Sequence, residues 1–140
     1  MSRTSTYLNF PRNTEEAFLF YKSVFGTEFL TPITRMAESG APDLNESDKN
    51  LVMNVALPIV GGHVLMGTDA PESMGFSLLQ GNNVHINLEP DTLEETERLF
   101  AALSEGGKVG MALEKMMWGA VFGSLTDRYG IQWMLNCTVE

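Results

Sequence analysis

Hydrophobic positions recur every three or four residues in two stretches of the chain, and each stretch carries the end signals of an α-helix. In the first, RNTEEAFLFYKSVFG, Asn13 is placed to be the N-cap and Glu16 follows at the capping-box spacing. Gly26 marks the C-terminal end of that helix. In the second, PDTLEETERLFAALSEGG, Asp91 or Thr92 is the N-cap and a glycine again ends the helix. The apolar stripes predict that one face of each helix packs against the rest of the fold.

Short strand-like runs surround the two helices in the same order. One run precedes each helix, STYLNF in the first half and NVHINL in the second, and three follow it. The first half continues with EFLTPITR, NLVMNVALPI and HVLMGTD, and the second with KVGMALEK, GAVFGSLTD and IQWMLNC. A turn signal joins the last two runs of each half, either the Gly61-Gly62 pair or DRYG, and predicts a tight hairpin. Both halves therefore read β-α-β-β-β.

The two halves also match position by position, which indicates an internal duplication. An offset of 79 residues superposes the helices and pairs Thr6 with His85. Aligning the final hairpins pairs Met66 with Met134. We predict an α+β fold built from two tandem βαβββ modules.

The expected organisation is a single domain over residues 1–140. Module 1 covers about 1–70 and module 2 about 82–140, with a connection at 68–83. The first half carries an extra polar segment at 36–50, MAESGAPDLNESDKN. Two interpretations of this segment stay open, a solvated insertion and a lid over a ligand.

The composition narrows the class of protein. The chain of 140 residues is 44% hydrophobic and 19% charged, an ordinary balance for a globular domain. Its formal net charge of -9 disfavours a nucleic-acid partner, which needs clustered Lys and Arg. The longest apolar run falls short of the roughly 20 residues that cross a bilayer, so we expect no membrane partner. The N-terminus lacks a secretory signal and Cys137 is the only cysteine, which together predict a cytoplasmic location.

The chain resembles the vicinal oxygen chelate superfamily, the glyoxalase, bleomycin-resistance and extradiol dioxygenase group, over nearly its whole length. Three segments carry a closer resemblance to the PhnB-like branch: YLNFPRNTEEAFLFYKSVFG, ALSEGGKVGMALEKMMWGAVFG and DRYGIQWMLN. The resemblance implies that the two modules lie side by side and form a curved open cup, usually within a homodimer. Some relatives carry a ubiquinone-methyltransferase name. The chain has no glycine-rich loop after a strand to cradle a nucleotide-like group, so we expect no cofactor.

The resemblance also implies where a metal would bind. In metal-using relatives four side chains, typically His, Gln or Glu, project into the cup from the first and last strands of the modules. The corresponding positions here are Thr6, Met66, His85 and Met134. Zinc, manganese and ferrous iron need several nitrogen or oxygen donors, and a neutral thioether binds these ions poorly. We therefore predict no metal.

What remains of the cup is chiefly apolar, with a few polar side chains. Alternation along the strands brings Leu8 and Asn87 to the cup side, although Tyr7 replaces Leu8 if the first strand is shifted by one residue. Trp118 stands where relatives carry an aromatic near the mouth, either to stack on a flat or cationic ligand or to pack on Phe122. The full set of expected ligand-pocket residues is Thr6, Leu8, Met66, His85, Asn87, Trp118, Phe122, Gln132 and Met134.

His85 has two interpretations. It is a polar group of the cup wall, hydrogen-bonded to a neighbour such as Asn87, Gln132 or a backbone carbonyl, or it is catalytic and moves a proton to or from a ligand. His63, beside the glycine pair, is expected to be a surface turn residue. Among the carboxylates, Asp69 and Glu114 lie nearest the inferred cup.

Three functions follow from these expectations. The first is a PhnB-like protein that binds a small, largely apolar molecule in its cup without a metal. The second is a metal-assisted lyase, isomerase or dioxygenase that uses His85. The third is an interaction module whose cup is filled by its own side chains or by a partner subunit.

Overall fold

The computed structural model describes residues 2–139, which divide between residues 79 and 80 into two compact units. Each unit contains one helix and one four-stranded sheet in the order β-α-β-β-β. The predicted α+β fold of two tandem βαβββ modules is confirmed. We refer to the units as module 1 and module 2, and the division between them falls inside the connection predicted at 68–83.

Module 1 has one parallel and two antiparallel strand pairs. Its sheet has the order β1-β4-β3-β2, in which β1 runs parallel to β4. The elements are β1 (Thr6–Phe10), α1 (Thr14–Phe25), β2 (Thr34–Arg35), β3 (Val52–Pro58) and β4 (Val64–Asp69).

One strand of module 1 is much shorter than the sequence suggested. The run EFLTPITR was expected to form a strand, but only Thr34 and Arg35 do so. Pro32 has no amide N–H to donate to a neighbouring strand, which explains why the strand does not extend back through it. The hairpin predicted at the glycine pair is present, and Gly61 and Gly62 both have positive φ, at 68° and 78°.

Module 2 repeats this topology, but the strand that follows its helix has 8 residues where the corresponding strand of module 1 has 2. Its sheet has the order β5-β8-β7-β6, and β5 runs parallel to β8. The elements are β5 (Ile86–Leu88), α2 (Leu93–Ser104), β6 (Lys108–Lys115), β7 (Ala120–Thr126) and β8 (Gln132–Thr138). No helix among residues 2–139 is long and apolar enough to cross a membrane.

The two helices begin in different ways. Thr92 caps α2 as predicted, because its Oγ1 accepts a hydrogen bond from the backbone N–H of Glu95 at 3.1 Å. Asn13 makes no side-chain cap bond to α1, so the predicted capping box is wrong. A buried carboxylate from β4 takes its place, since Asp69 Oδ1 accepts the backbone N–H of Thr14 at 3.0 Å.

Each helix packs on one face of its own sheet. In module 1 the rings of Phe18 and Tyr21 are fully buried and meet edge to face at 5.6 Å. The helix approaches so closely that a Cβ added to Gly67 would lie 2.5 Å from the Phe18 ring. In module 2 Phe100 covers Gly123 in the same manner, with 2.9 Å to an added Cβ. These contacts identify the helix side of each sheet.

The polar insertion at 36–50 is a folded part of module 1 that contains two short 3-10 helices. Its buried Asp48 accepts a hydrogen bond from Ser73 at 2.9 Å and lies 3.0 Å from the guanidinium of Arg12. Removal from water opposes ionisation of Asp48, but the bonds from Ser73 and Arg12 outweigh it and hold its pKa below the ordinary value. An ionised Asp48 therefore fastens the insertion to the body of module 1.

Candidate functional site

The sheet of module 2 has a face turned away from α2, which we call the helix-distal face. Strand register assigns side chains to it, because residues paired across strands point to the same side. Gly123 and its partner Leu135 lie on the helix side under Phe100, so their neighbours along the strands face the other way. The helix-distal face carries Asn87, Phe122, Ser124, Gln132, Met134 and Asn136.

The predicted alternation in the last strand of module 2 matches this geometry. Trp133 and Leu135 are fully buried on the helix side. Met134 lies between them in sequence and pairs with Asn87 on β5 and with Ser124 on β7. The expected pocket residues Asn87, Gln132 and Met134 therefore share one face of one sheet.

His85 lies immediately before β5 and is exposed. Continuing the alternation of β5 places it on the same side as Asn87. The expected hydrogen bond to Asn87, Gln132 or a backbone carbonyl is not present among residues 2–139. Gln132 instead donates its amide to the carbonyl of Val84 at 3.0 Å, which ties β8 to the residue before His85. The imidazole and the Asn87 amide are thus both accessible to a ligand.

Trp118 lies in the turn that joins β6 to β7. Met116 and Gly119 close this turn, with a hydrogen bond from the Gly119 N–H to the Met116 carbonyl at 3.1 Å and a φ of 87° at Gly119. The turn projects Met117 and Trp118, which are 98% and 63% exposed. The indole meets the ring of Phe122 edge to face at 6.4 Å. Trp118 therefore contacts Phe122 and still exposes most of its surface.

A carboxylate accompanies this aromatic pair. Glu114 on β6 is the cross-strand partner of Phe122, and Phe122 is in turn the partner of Asn136 on β8. The Asn136 amide donates to Glu89 at 3.4 Å. Neither Glu89 nor Glu114 forms an ion pair with a described residue. Four side chains therefore form a row across the sheet: the Glu114 carboxylate, the Phe122 ring, the Asn136 amide and the Glu89 carboxylate.

Module 1 also has a helix-distal face, and its register corrects two expected pocket residues. Tyr7 is the partner of Met66, whereas Thr6 pairs with Leu65 and Leu8 with Gly67 on the helix side. Thr6 and Leu8 therefore do not share a face with Met66. Tyr7 takes the position that was expected for Leu8, which was the alternative register of the first strand.

Polar contacts on the helix-distal face of module 1 surround Met66. The Tyr7 hydroxyl accepts a hydrogen bond from Asn54 at 3.2 Å, and the Ser5 hydroxyl lies 3.6 Å from the Met66 sulfur. Matching Met66 with Met134 makes Tyr7 equivalent to Asn87. Ser5, not Thr6, is then the counterpart of His85.

Thr6 has a partner that the sequence analysis missed. Its hydroxyl is 2.9 Å from Nε2 of His63, and both residues are half-buried. His63 does lie beside the glycine turn as expected, but its side chain reaches β1 instead of standing free. His63 lies two residues before Leu65, so strand alternation puts both side chains on the side of the sheet that Thr6 faces. This contact could therefore have been predicted from the alternation along β4.

The carboxylate of Asp69 is structural. It is 2% exposed and accepts three hydrogen bonds, from the amide and hydroxyl of Thr14 and from the amide of Val52. All three donors hold α1 and β3 to the end of β4.

The helix carboxylates Glu15 and Glu95 each accept hydrogen bonds from an arginine. Glu15 is paired with Arg35 and Glu95 with Arg98, and these bonds lower the pKa of both carboxylates.

The donor set does not suit the metal that the superfamily implies. Among residues 2–139, no three His, Cys, Asp or Glu side chains are grouped so that they could hold a metal ion. Met66 and Met134 occupy equivalent last-strand positions, where hard ions would need oxygen or nitrogen. Their cross-strand partners Tyr7 and Asn87 are neither histidines nor carboxylates, and His85 alone among the expected pocket residues supplies an imidazole.

The fold belongs to a known class. A glyoxalase/bleomycin resistance protein/dioxygenase family enzyme from Burkholderia phytofirmans PsJN has the same fold, with a TM-score of 0.63 and 20% identity over 96% of this chain and 98% of that one. This chain accordingly has the glyoxalase/bleomycin resistance protein/dioxygenase fold.

The narrower family is shown by a match over residues 2–136 to the family described as 3-demethylubiquinone-9 3-methyltransferase, and the chain belongs to that family. A putative 3-demethylubiquinone-9 3-methyltransferase, PhnB protein, from Bacillus cereus is 25% identical, with a TM-score of 0.76 over 98% of this chain and 100% of that one. Protein PA1353 from Pseudomonas aeruginosa is 33% identical, with a TM-score of 0.84 over 100% of both chains. The predicted PhnB-like branch is confirmed.

Proposed function

We propose that this protein binds a small, largely apolar molecule on the helix-distal face of module 2, without a metal. The observation that carries the proposal is the exposed indole of Trp118 beside the ring of Phe122. Large aromatic side chains dominate the energetics of binding sites and are enriched where ligands or partners bind. An indole 63% exposed on a turn is therefore available to a ligand.

Polar side chains on the same face support the proposal. Small-molecule sites are mostly apolar and contain a few polar groups that orient the ligand. Met134 and Phe122 supply apolar surface, and His85 and Asn87 supply donors and acceptors that no described side chain satisfies. In this proposal His85 hydrogen-bonds the ligand, and its imidazole provides either a donor or an acceptor according to its tautomer.

The proposal departs from the activity in the family's description. Methyl transfer needs a donor cofactor, and nucleotide-like cofactors are commonly held by a glycine-rich loop between a strand and a helix. In this chain β1 is joined to α1 by Pro11, Arg12 and Asn13, and β5 is joined to α2 by residues 89–92. Neither connection contains glycine. Binding explains the residues of the face more directly than methyl transfer does.

Fluorescence provides the test, because the two tryptophans differ completely in exposure. Trp118 is 63% exposed and Trp133 is 0% exposed, so quenching by acrylamide reports chiefly on Trp118. We expect a ligand found in a panel of small apolar molecules to protect the fluorescence from acrylamide and to raise the melting temperature, since it binds only the native state. Trp118→Leu is expected to lower the affinity for that ligand by about tenfold.

A matched control separates this effect from a general loss of apolar surface. Leu93 is also exposed and lies on α2, on the other side of the same sheet, so Leu93→Ala should leave the affinity unchanged. The affinity of Trp118→Leu is measured by thermal shift, because that variant lacks the reporter indole. A panel in which ligands raise the melting temperature but leave Trp118 open to acrylamide would contradict the proposed face.

Metal analysis tests the second half of the proposal. The purified protein is expected to retain far less than one equivalent of divalent metal after mild dialysis, because Met66 and Met134 replace hard donors. Addition of a chelator should change neither the melting temperature nor ligand affinity. About one equivalent of zinc, manganese or iron in elemental analysis, lost together with binding on chelation, would overturn the metal-free proposal.

A further inference from the structure

We propose that the ligand of the helix-distal face is an organic cation, with its positive charge held between the Trp118–Phe122 pair and the carboxylate of Glu114. This inference rests on the proposed function and specifies the chemical class of the ligand. It follows from the residues that surround the exposed indole.

The first step is the position of the carboxylate. Glu114 is the cross-strand partner of Phe122, and directly paired residues on one face of an antiparallel sheet have Cβ atoms about 5 Å apart. The Phe122 ring meets the Trp118 indole edge to face. One carboxylate therefore lies beside an aromatic pair on the same surface, where a ligand that contacts the rings also comes close to the charge.

The second step is that this carboxylate is not neutralised. Glu114 is exposed, and its carboxylate forms no ion pair or hydrogen bond with a side chain or backbone group of residues 2–139. Its sequence neighbour Lys115 pairs with Val121, so alternation turns the ammonium group to the other side of the sheet. Lys108 pairs with Thr126 at the far end of the same strands. The surroundings of the aromatic pair are thus negative.

The third step is the chemistry that matches such a surface. Faces of indole and phenyl rings attract cations through their quadrupole, and a nearby carboxylate adds Coulombic attraction. Small hard ions such as magnesium prefer several oxygen ligands and retain their water, so one carboxylate beside two rings does not suit them. A substituted ammonium group on an apolar body satisfies both the rings and the charge. The second carboxylate of the row, Glu89, has the same sign and reinforces this choice.

The test compares two molecules of the same shape and different charge. Phenyltrimethylammonium carries a quaternary nitrogen where tert-butylbenzene carries a neutral carbon, and both are titrated while acrylamide quenching of Trp118 is measured. We expect the cation to bind about fivefold more tightly than the neutral compound, as a cation–π contact with a partner carboxylate provides. Raising the ionic strength should weaken the cation alone.

Variants assign the preference to Glu114. Glu114→Gln keeps the shape of the side chain and is expected to remove most of the preference without changing the affinity for tert-butylbenzene. Glu97→Gln is the matched control, because it removes the same charge from an exposed position on α2, on the other side of the sheet. Far-ultraviolet circular dichroism checks that both variants keep the fold.

The outcomes distinguish this inference from the proposed function. Equal affinity for the two compounds, or a cation preference that Glu114→Gln leaves intact, overturns the cation assignment while binding at Trp118 stands. Failure of both compounds to protect Trp118 also overturns the cation assignment. If every other compound of the apolar panel fails as well, the proposed function is overturned with it.

Discussion

Replacing Asp69 by alanine is expected to lower the free energy of unfolding by about 3 kcal/mol, because the change leaves buried donors without an acceptor. Asp69 Oδ1 accepts from the Thr14 amide at 3.0 Å and from its hydroxyl at 2.7 Å, and Oδ2 accepts from the Val52 amide at 2.8 Å. The carboxylate is 2% exposed, so water cannot easily take its place. Urea unfolding followed by circular dichroism measures the loss.

Two control variants sharpen this prediction. Asp69→Asn keeps the shape and one oxygen acceptor, so its destabilisation should be smaller than that of the alanine variant. Asp91→Ala removes an exposed carboxylate near the start of α2 and should stay within about 0.5 kcal/mol of the natural protein. If Asp69→Ala were as stable as Asp91→Ala, the structural role of Asp69 would be wrong.

The position of Asp69 shows why strand ends are ambiguous in a sequence. A carboxylate after a strand is typical of catalytic sites, and the same position next to a helix N-terminus is typical of a helix cap. The choice depends on which side of the strand the carboxylate faces. Register with Phe10 on β1 places Asp69 on the helix side, where Thr14 and Val52 surround it.

Most elements were predictable because their signals are local. Helix α2 has a Thr92 cap, an apolar stripe and a glycine stop within one segment, and the structure places it at Leu93–Ser104. Strands β6 and β7 were likewise readable from KVGMALEK and GAVFGSLTD. The run EFLTPITR failed because its strand propensity competes with Pro32, and this competition is decided by tertiary contacts.

The candidate site was predictable in module 2 and only partly in module 1. Asn87 and Met134 were placed on one face by alternation alone, and the strand pairing agrees. In module 1 the offset of the helices was carried back to β1, which put Thr6 in the position that Ser5 occupies. The connection between strand and helix differs by one residue between the modules, and a slip of one residue moves a side chain to the other face.

Several expectations stay predictions. One of them is the cup formed by Thr6, Met66, His85 and Met134, although the strand register places Thr6 on the opposite side of the sheet from Met66. The homodimer implied by the resemblance and the cytoplasmic location also stay predictions. The binding proposal depends on none of these, since Trp118, Phe122 and Glu114 all belong to the β6–β7 hairpin.

The hydrogen bond between Thr6 and His63 distinguishes module 1 from module 2. The strand pairing makes Thr6 equivalent to Ile86, since their partners Leu65 and Trp133 are matched when Met66 is aligned with Met134. The same alignment makes His63 equivalent to Ile131. A polar pair in module 1 therefore replaces an apolar pair in module 2, on the helix side of each sheet.

Substituting this pair by the residues of module 2 tests how tightly the two side chains are coupled. Thr6→Ile or His63→Ile alone is expected to lower the free energy of unfolding by about 1 kcal/mol, because each leaves a half-buried polar group without its partner. The double variant should lie close to the natural protein, since two isoleucines restore an apolar contact and leave no unpaired group. The double-mutant cycle, measured by urea unfolding, should give a coupling of about 2 kcal/mol.

The same variants decide whether the pair takes part in binding. Thr6 and His63 lie on the helix side of module 1, so the double variant should protect Trp118 from acrylamide with the same ligand affinity as the natural protein. Additive destabilisation in the cycle would show that the hydrogen bond contributes little. Lost ligand affinity in a stable double variant would instead mean that Thr6 and His63 belong to the binding site, because a purely structural pair changes the stability of the fold and leaves the ligand contacts intact.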